Sequence, residues 1–152
     1  TTASAFASEV GISPRSVKEI ILVLRTYPIR VSGNSGPLPN ETTWEKIRKK
    51  SGYKKDISEK TSVTKRERRV GEFDVESAKE AVKHNKPTQI AIMGLDYLNS
   101  DDREKVEYEN LSKKSKQFIH KLNKELGLSI TILGVGPKNE DIIYKEPNTK
   151  KI

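Results

Sequence analysis

Residues 88–96 read Thr-Gln-Ile-Ala-Ile-Met-Gly-Leu-Asp, an aliphatic run that ends at a glycine and an aspartate. Aliphatic side chains without polar alternation are typical of a strand that is buried on both faces of a parallel sheet. A second run, residues 128–133, is followed by Gly-Val-Gly-Pro at residues 134–137. A segment with helical periodicity precedes each run. The sequence therefore predicts an α/β fold, with a mostly parallel sheet flanked by helices.

Helix signals begin at Asp74 and at Ser112, which are favourable N-caps before apolar residues at helical spacing. The same spacing within residues 17–24, after Ser13-Pro14, predicts another amphipathic helix. Short helices are predicted at residues 3–10 and 42–50 and from Asn139 onward, a strand at residues 29–31, exposed loops at residues 51–60 and 99–110, and a frayed polar tail at residues 145–152.

Composition limits the possible functions. The chain has 152 residues, a net charge of +8, a pI near 9.6 and a mean hydropathy of −0.72. This charge favours anionic partners, and phosphate is the first candidate. The chain has no cysteine, which excludes disulfides, a thiolate metal site and a catalytic thiol. No apolar run approaches the roughly 20 residues that a membrane helix needs.

Residues 61–74 read Thr-Ser-Val-Thr-Lys-Arg-Glu-Arg-Arg-Val-Gly-Glu-Phe-Asp, which places three arginines just after three hydroxyl side chains. Guanidinium groups bind carboxylate or phosphate through two parallel hydrogen bonds. In an extended segment Arg66 and Arg68 point the same way, because side chains alternate. The pattern therefore favours an anion site, and the alternative is a solvated basic loop.

The spacing from Ser62 to Asp74 resembles the aspartate- and nucleotide-binding loop of the adenylosuccinate synthetase family. Lys65 stands where the family usually has glycine, and Glu72 where it has an aromatic residue. The resemblance implies that this loop binds the aspartate carboxylates and the neighbouring ribose of IMP. The residues that match are Ser62, Val63, Thr64, Arg66 and Arg68, with Val63 in place of a bacterial threonine.

Residues 28–38, Pro-Ile-Arg-Val-Ser-Gly-Asn-Ser-Gly-Pro-Leu, resemble the same family, and in particular its short archaeal branch and the related phage enzymes. By itself the glycine-rich segment is a weak signal, because ordinary turns have the same composition. The resemblance implies that Arg30, Val31 and Gly33 lie against the ribose of the purine nucleotide.

Asp96 follows the first buried strand, where ligands of open α/β sheets bind. A carboxylate there can accept hydrogen bonds from the ring N1–H and the exocyclic amine of guanine. The family has Thr-Lys-x-Asp at this position to bind the guanine of GTP, whereas this chain has Gly94 in place of the lysine. The family resemblance also places Gly136 and Pro137 against the GTP base. The alternative for Asp96 is a simple capping role in the next turn.

The resemblance implies a ligase of purine nucleotide biosynthesis that joins L-aspartate to IMP with GTP hydrolysis. It implies a P-loop-NTPase-like synthetase domain, of which residues 1–152 are the C-terminal part. The catalytic residues and the Mg²⁺ ligands are then expected in an N-terminal half outside this chain, so the chain alone is expected to be inactive. A cytoplasmic homodimer follows from the same resemblance.

Two other functions remain open at this point. A phage-type synthase, which joins aspartate to dGMP using ATP or GTP, shares this half of the family closely. A basic nucleic-acid-binding module is also compatible with the net charge. Against that module, the positive charge is interleaved with Glu and Asp, and no group of stacking aromatic residues lies on one predicted strand.

Overall fold

The computed structural model describes residues 2–146, and residues 147–152 of the predicted frayed tail lie outside the described residues. The strands are β1 (Ile21–Arg25), β2 (Ile29–Arg30), β3 (Glu41–Thr42), β4 (Arg69–Gly71), β5 (Gln89–Met93), β6 (Ile130–Gly134) and β7 (Ile142–Tyr144). The α-helices are α1 (Ala3–Glu9), α2 (Trp44–Ser51), α3 (Val75–Asn85) and α4 (Lys113–Leu126).

The main sheet has the strand order β1-β5-β6-β7. Strands β1, β5 and β6 are parallel, and β7 runs antiparallel to β6. The central strand β5 carries Ile90 and Ile92, which are fully buried, because helices and loops cover both faces of a parallel sheet. The predicted α/β class with a mostly parallel sheet is confirmed.

The predicted helices at residues 74–86 and 112–127 are present and begin at the predicted caps. The Asp74 carboxylate accepts the backbone N–H of Ser77 at 3.0 Å, and the Ser112 hydroxyl accepts that of Ser115 at 3.2 Å. Helix α3 packs against β1 and α4, and α4 packs against β6. Within residues 2–146, no helix is both long enough and apolar enough to cross a membrane.

A second, smaller sheet stands beside the first and has the order β2-β4-β3, with both pairs antiparallel. Its register pairs Arg30 with Arg69, and Thr42 with Val70. Val70 and Gly71 are buried. This sheet therefore fixes the start of the glycine-rich segment next to the end of the arginine segment, although about 40 residues separate them in sequence.

Two predicted helices are wrong. Residues 17–24 lead from a 3₁₀ turn at Pro14–Ser16 into strand β1, and the helix predicted from Asn139 is replaced by strand β7. In both segments the apolar residues are consecutive and mostly β-branched, so they satisfy a helical spacing by chance. Pairing with β5 and with β6 decides the outcome, because each segment completes the hydrogen bonds of a neighbouring strand.

The two predicted exposed loops are more ordered than expected. In residues 99–110, Asp102 is buried and accepts hydrogen bonds from the hydroxyls of Ser112 (2.8 Å) and Ser115 (2.5 Å). In residues 51–60, Ser51 is buried and Ile57 packs against the main core. The second loop covers the carboxyl ends of the parallel strands, which places it over the site described next.

Candidate functional site

A cleft of about 500 Å³ opens at the carboxyl ends of β1, β5 and β6. Its walls include residues that end or follow each of these strands, namely Arg25, Gly94, Asp96, Tyr97, Gly136 and Pro137. The loop from Tyr53 to Glu59 closes one side. Asp96, Gly94, Gly136 and Pro137, predicted separately from the sequence, therefore lie around one cavity.

The carboxylate of Asp96 is 5% exposed, and its Oδ2 accepts a hydrogen bond from the hydroxyl of Tyr53 at 2.6 Å. Burial raises the pKa of Asp96 above its ordinary value, while the Tyr53 hydrogen bond and the charge of Arg103 act in the opposite direction. A partly desolvated carboxylate with free lone pairs suits a neutral ligand edge that carries N–H donors. Asp96 thus lines the cleft and is held there by Tyr53, and its contact with a nucleotide base stays a prediction.

Position 94 differs from the family pattern in a way that the structure explains. Gly94 has φ +82°, and a Cβ atom there would lie 3.1 Å from both the Thr26 Oγ1 and the Tyr97 ring. The Thr26 hydroxyl also donates to the Gly94 carbonyl at 2.5 Å. A lysine would be strained in this conformation, because only glycine adopts it readily.

The turn after β6 is held by Asp141. The Lys138 backbone N–H donates to Oδ2 of Asp141 at 2.9 Å, and the Val135 N–H donates to the Asp141 carbonyl at 2.9 Å. A Cβ on Gly136 would lie 2.3 Å from Oδ2 of Asp141. Only glycine therefore fits at position 136, and the backbone of the Gly136-Pro137 turn faces the cleft.

The sequence did not predict a network of hydrogen bonds and an ion pair that lines the same cleft. Glu59 accepts a hydrogen bond from the Tyr97 hydroxyl at 3.1 Å and pairs with the guanidinium of Arg25. Arg25 directly follows the segment with helical spacing, and Glu59 lies in a stretch without a motif. Tyr97 could have been found, because it follows Asp96 directly.

The predicted arginine loop is a hairpin that spans residues 59–68, called here the arginine hairpin. The Arg68 N–H donates to the Glu59 carbonyl at 2.7 Å, Lys60 pairs with Glu67, and the Thr61 N–H donates to the Arg66 carbonyl at 2.9 Å. At the tip Lys65 has φ +54°, the left-handed conformation that glycine adopts readily. The family glycine at this position thus has a conformational reason, and this chain forms the same turn with lysine.

The side chains at the tip are exposed. Ser62, Val63, Thr64 and Arg66 are exposed and Arg68 is half-buried. Within the described part of the chain, Arg66 and Arg68 have no carboxylate within ion-pair distance, whereas Arg69 binds Glu41 through two nitrogens at 2.6 and 2.7 Å. The first two guanidinium groups therefore remain available for a ligand, and the third has a structural role.

The glycine-rich segment lies beside this hairpin. Arg69 donates to the Gly36 carbonyl at 2.9 Å, and Arg30 donates to the Pro37 carbonyl at 3.0 Å. The Val31 carbonyl accepts the Ser35 hydroxyl at 2.6 Å, and Gly33 has φ +80°. The small sheet thus brings Arg30, Val31 and Gly33 to the side of the molecule that carries the arginine hairpin.

Candidate metal ligands are the acidic and histidine side chains. Within residues 2–146, no three His, Asp or Glu side chains are grouped so that they can hold a metal ion. The expectation that the Mg²⁺ ligands lie in another part of the full-length protein stays a prediction.

Comparison with known proteins supports one family. The sequence profile described as adenylosuccinate synthetase matches residues 1–107. The adenylosuccinate synthetase of Methanocaldococcus jannaschii is 42% identical over 143 residues, which cover 94% of this chain and 39% of that protein. The enzyme of Methanococcus maripaludis is 39% identical, with coverage of 94% and 40%. The chain thus spans about two fifths of the length of these relatives.

Two solved structures share the fold. The fully ligated adenylosuccinate synthetase of Plasmodium falciparum has a TM-score of 0.79 and 21% identity, covering 96% of this chain and 44% of that one. The succinoaminodeoxyadenylate synthetase of cyanophage S-2L, bound to dGMP and dATP, has a TM-score of 0.70 and 23% identity, with coverage of 95% and 39%. At this identity the structures support the fold, while the profile and the archaeal sequences support the family. The chain therefore belongs to the adenylosuccinate synthetase family.

Proposed function

We propose that this chain is the C-terminal part of an adenylosuccinate synthetase and binds L-aspartate, IMP and the base of GTP. One observation carries the proposal: Arg66 and Arg68, whose guanidinium groups have no carboxylate partner among the described residues, stand on a hairpin whose root also lines the cleft that contains Asp96. A dicarboxylate site and a purine site therefore adjoin each other, as a reaction between aspartate and a nucleotide requires.

In the reaction of this family, GTP phosphorylates the O6 oxygen of IMP, and the aspartate amine then displaces the phosphate at C6. The residues of this chain bind and orient the reactants. Arg66 and Arg68 hold the aspartate carboxylates through paired hydrogen bonds. The hydroxyls of Ser62 and Thr64 donate further hydrogen bonds to the same carboxylates. Val63 lies in the same loop but has no hydroxyl to donate.

The nucleotide contacts follow from the two other segments. Arg30, Val31 and Gly33 lie along the ribose of IMP, on the side of the small sheet that carries the arginine hairpin. Asp96 accepts the ring N1–H and the exocyclic amine of guanine, which adenine does not offer. The backbone at Gly136 and Pro137 packs against the GTP base. The proposal places the acid and base groups, and the Mg²⁺ ligands, in another part of the full-length protein.

The experiment is an assay of the natural full-length protein with IMP, GTP, Mg²⁺ and aspartate. We expect equimolar formation of adenylosuccinate and phosphate, as in a cytoplasmic, homodimeric synthetase of this family. No adenylosuccinate from a folded full-length protein would refute the proposal. The isolated 152 residues are expected to give no turnover, and turnover by them alone would show that this chain also carries the catalytic groups.

A second candidate is the joining of aspartate to dGMP with ATP as the phosphate donor. The observation that favours the use of ATP is Gly94, because a lysine at this position would be strained at φ +82° and its Cβ would lie 3.1 Å from Thr26 Oγ1 and from the Tyr97 ring. The same assay separates the two candidates when IMP is replaced by dGMP and GTP by ATP. Product formed with dGMP and ATP, and none formed with IMP and GTP, would favour the second candidate.

A further inference from the structure

We propose that Glu59 is a positioning residue that couples the two binding sites, so that a purine in the cleft raises the affinity of the arginine hairpin for its dicarboxylate ligand. The inference rests on the proposed function and names a residue that links its two parts. Glu59 belongs to both, because its side chain lines the cleft and its carbonyl forms the root of the hairpin.

The side chain of Glu59 ties the hairpin root to the main sheet. It pairs with Arg25, the last residue of β1, and accepts the hydroxyl of Tyr97 at 3.1 Å in the turn after β5. Both partners are fixed by parallel strands, and both line the cleft. Any ligand that fills the cleft therefore contacts the residues that hold the hairpin.

The main chain of Arg68 is held from two directions. Its N–H donates to the Glu59 carbonyl at 2.7 Å, and its carbonyl accepts the indole N–H of Trp44 at 2.8 Å. The Trp44 ring packs edge-on against Tyr97, with a centroid distance of 5.7 Å. The position of Arg68 thus depends on Glu59 and Trp44, and both of these residues contact Tyr97.

The tip of the hairpin has no such support. From residue 61 to residue 66 the hydrogen bonds in the described structure are internal, such as the 2.6 Å bond between the hydroxyls of Thr61 and Thr64. The direction of the Arg66 side chain is therefore set by the root, and Arg68 belongs to the root itself. When the root is already ordered, a ligand that binds at the tip causes a smaller loss of conformational entropy in the hairpin.

A purine in the cleft would order the root in a simple way. It displaces water from the walls, and ion pairs are stronger in a less polar environment. The Arg25–Glu59 pair, which is partly exposed without a ligand, then holds the hairpin more firmly. Coupling between two binding sites is reciprocal, so the dicarboxylate raises the affinity for the purine by the same factor.

The test measures aspartate binding by calorimetry, using the natural full-length protein saturated with IMP, with and without a non-hydrolysable GTP analogue. We expect the analogue to lower the aspartate Kd by about fivefold or more in the wild type. Glu59→Ala should reduce this ratio to near one. Glu59→Gln keeps an acceptor for Arg25 and Tyr97 and should retain part of the ratio.

The matched control is Glu67→Ala, on the other strand of the same hairpin, where the side chain is exposed and is not a predicted ligand contact. It should keep the full wild-type ratio. An aspartate Kd that Glu59→Ala weakens equally with and without the analogue would overturn the coupling and leave a purely structural role. Wild-type protein that binds both ligands independently would overturn the coupling alone, whereas wild-type protein that binds neither overturns the proposed function with it.

Discussion

In the proposed function, the strand-end cleft and the arginine hairpin recognise their ligands by opposite physical means. In the cleft, Asp96 is 5% exposed, is hydrogen-bonded to Tyr53 and is surrounded by turns that admit little change. On the hairpin, Arg66 is exposed and Val63 is 87% exposed. A neutral base edge is distinguished by a few hydrogen bonds, which discriminate best where water is excluded. A dianion can be bound by charge at an exposed tip and ordered on binding.

The strongest test of this contrast is Arg68→Ala in the full-length protein. Loss of a charge-assisted pair of hydrogen bonds should lower kcat/KM for aspartate by about 100-fold. The affinity for the GTP analogue, measured without aspartate, should stay within about twofold. Arg15→Ala removes an equal charge at an exposed position and should leave both values unchanged. A large loss of nucleotide affinity in Arg68→Ala would show that the two regions do not divide the ligands as proposed.

Asp96→Asn tests the cleft in the same way. The amide cannot accept both guanine donors, so the affinity for GTP should fall by roughly 10- to 100-fold. The aspartate KM at saturating GTP should change much less. Steady-state kinetics with GTP and with ITP, which lacks the exocyclic amine, provide the measurement. Equal use of GTP and ITP by the wild type would contradict a direct contact between Asp96 and guanine.

The pH dependence separates the two regions further, because the pKa of Asp96 is raised, chiefly by burial. Guanine binding needs the ionised carboxylate, so GTP affinity should fall as the pH drops through this raised pKa. The contribution of Asp96 to the free energy of unfolding changes in the opposite direction. Because the pKa of Asp96 is higher in the folded protein, this contribution is fully present below the pKa of the unfolded chain and is lost as the pH rises through the pKa of the folded protein.

Calorimetric titrations of the GTP analogue from about pH 8 down to about pH 4, the ordinary pKa of an aspartate, check the first statement, with Asp96→Asn as the control that lacks the titrating group. Tyr53→Phe should move the loss of affinity to higher pH, because the Tyr53 hydrogen bond lowers the pKa of Asp96. A pH profile that is the same for wild type and Asp96→Asn would exclude Asp96 as its source.

A smaller effect is expected from Val63→Thr, which adds a hydroxyl at the exposed tip. One additional neutral hydrogen bond should raise the affinity for aspartate by at most about fivefold. The isosteric change leaves the packing untouched, because Val63 is almost fully exposed. A higher KM for aspartate in Val63→Thr would show that position 63 does not face the ligand.

The smallest effect is expected from Lys65→Gly. The left-handed conformation of Lys65 costs about 1 kcal/mol, and the greater freedom of glycine in the unfolded chain offsets part of the gain. The midpoint of thermal unfolding should rise by about 2 °C or less. Lys60→Gly, in the paired part of the same hairpin, should lower it. A lower midpoint for Lys65→Gly would show that lysine makes an additional stabilising contact.

Much of the fold could be predicted from the sequence, because caps such as Asp74 and Ser112 and buried runs such as residues 88–93 are local signals. Strand β1 could not, since its consecutive apolar residues fit both periodicities and only pairing with β5 selects the strand. The same limit applies to the site. Asp96 and Arg66 lie in motifs, whereas Tyr53 and Glu59 gain their roles from contacts with residues 38–43 positions away in the sequence. Such contacts leave no local pattern.

The parallel pairing of β1 with β5 also has a kinetic consequence. Ile21 faces Gln89 in the register, so the chain must close a loop of about 68 residues before this pair of strands exists. Loops of this length form slowly compared with helices and hairpins. The Glu59–Arg25 contact lies within that loop and the Tyr53–Asp96 contact joins it to the turn after β5, so the site is expected to form only after this slow closure. A mutation that slows closure of β1 onto β5 should therefore delay the recovery of ligand binding and of native fluorescence to the same extent.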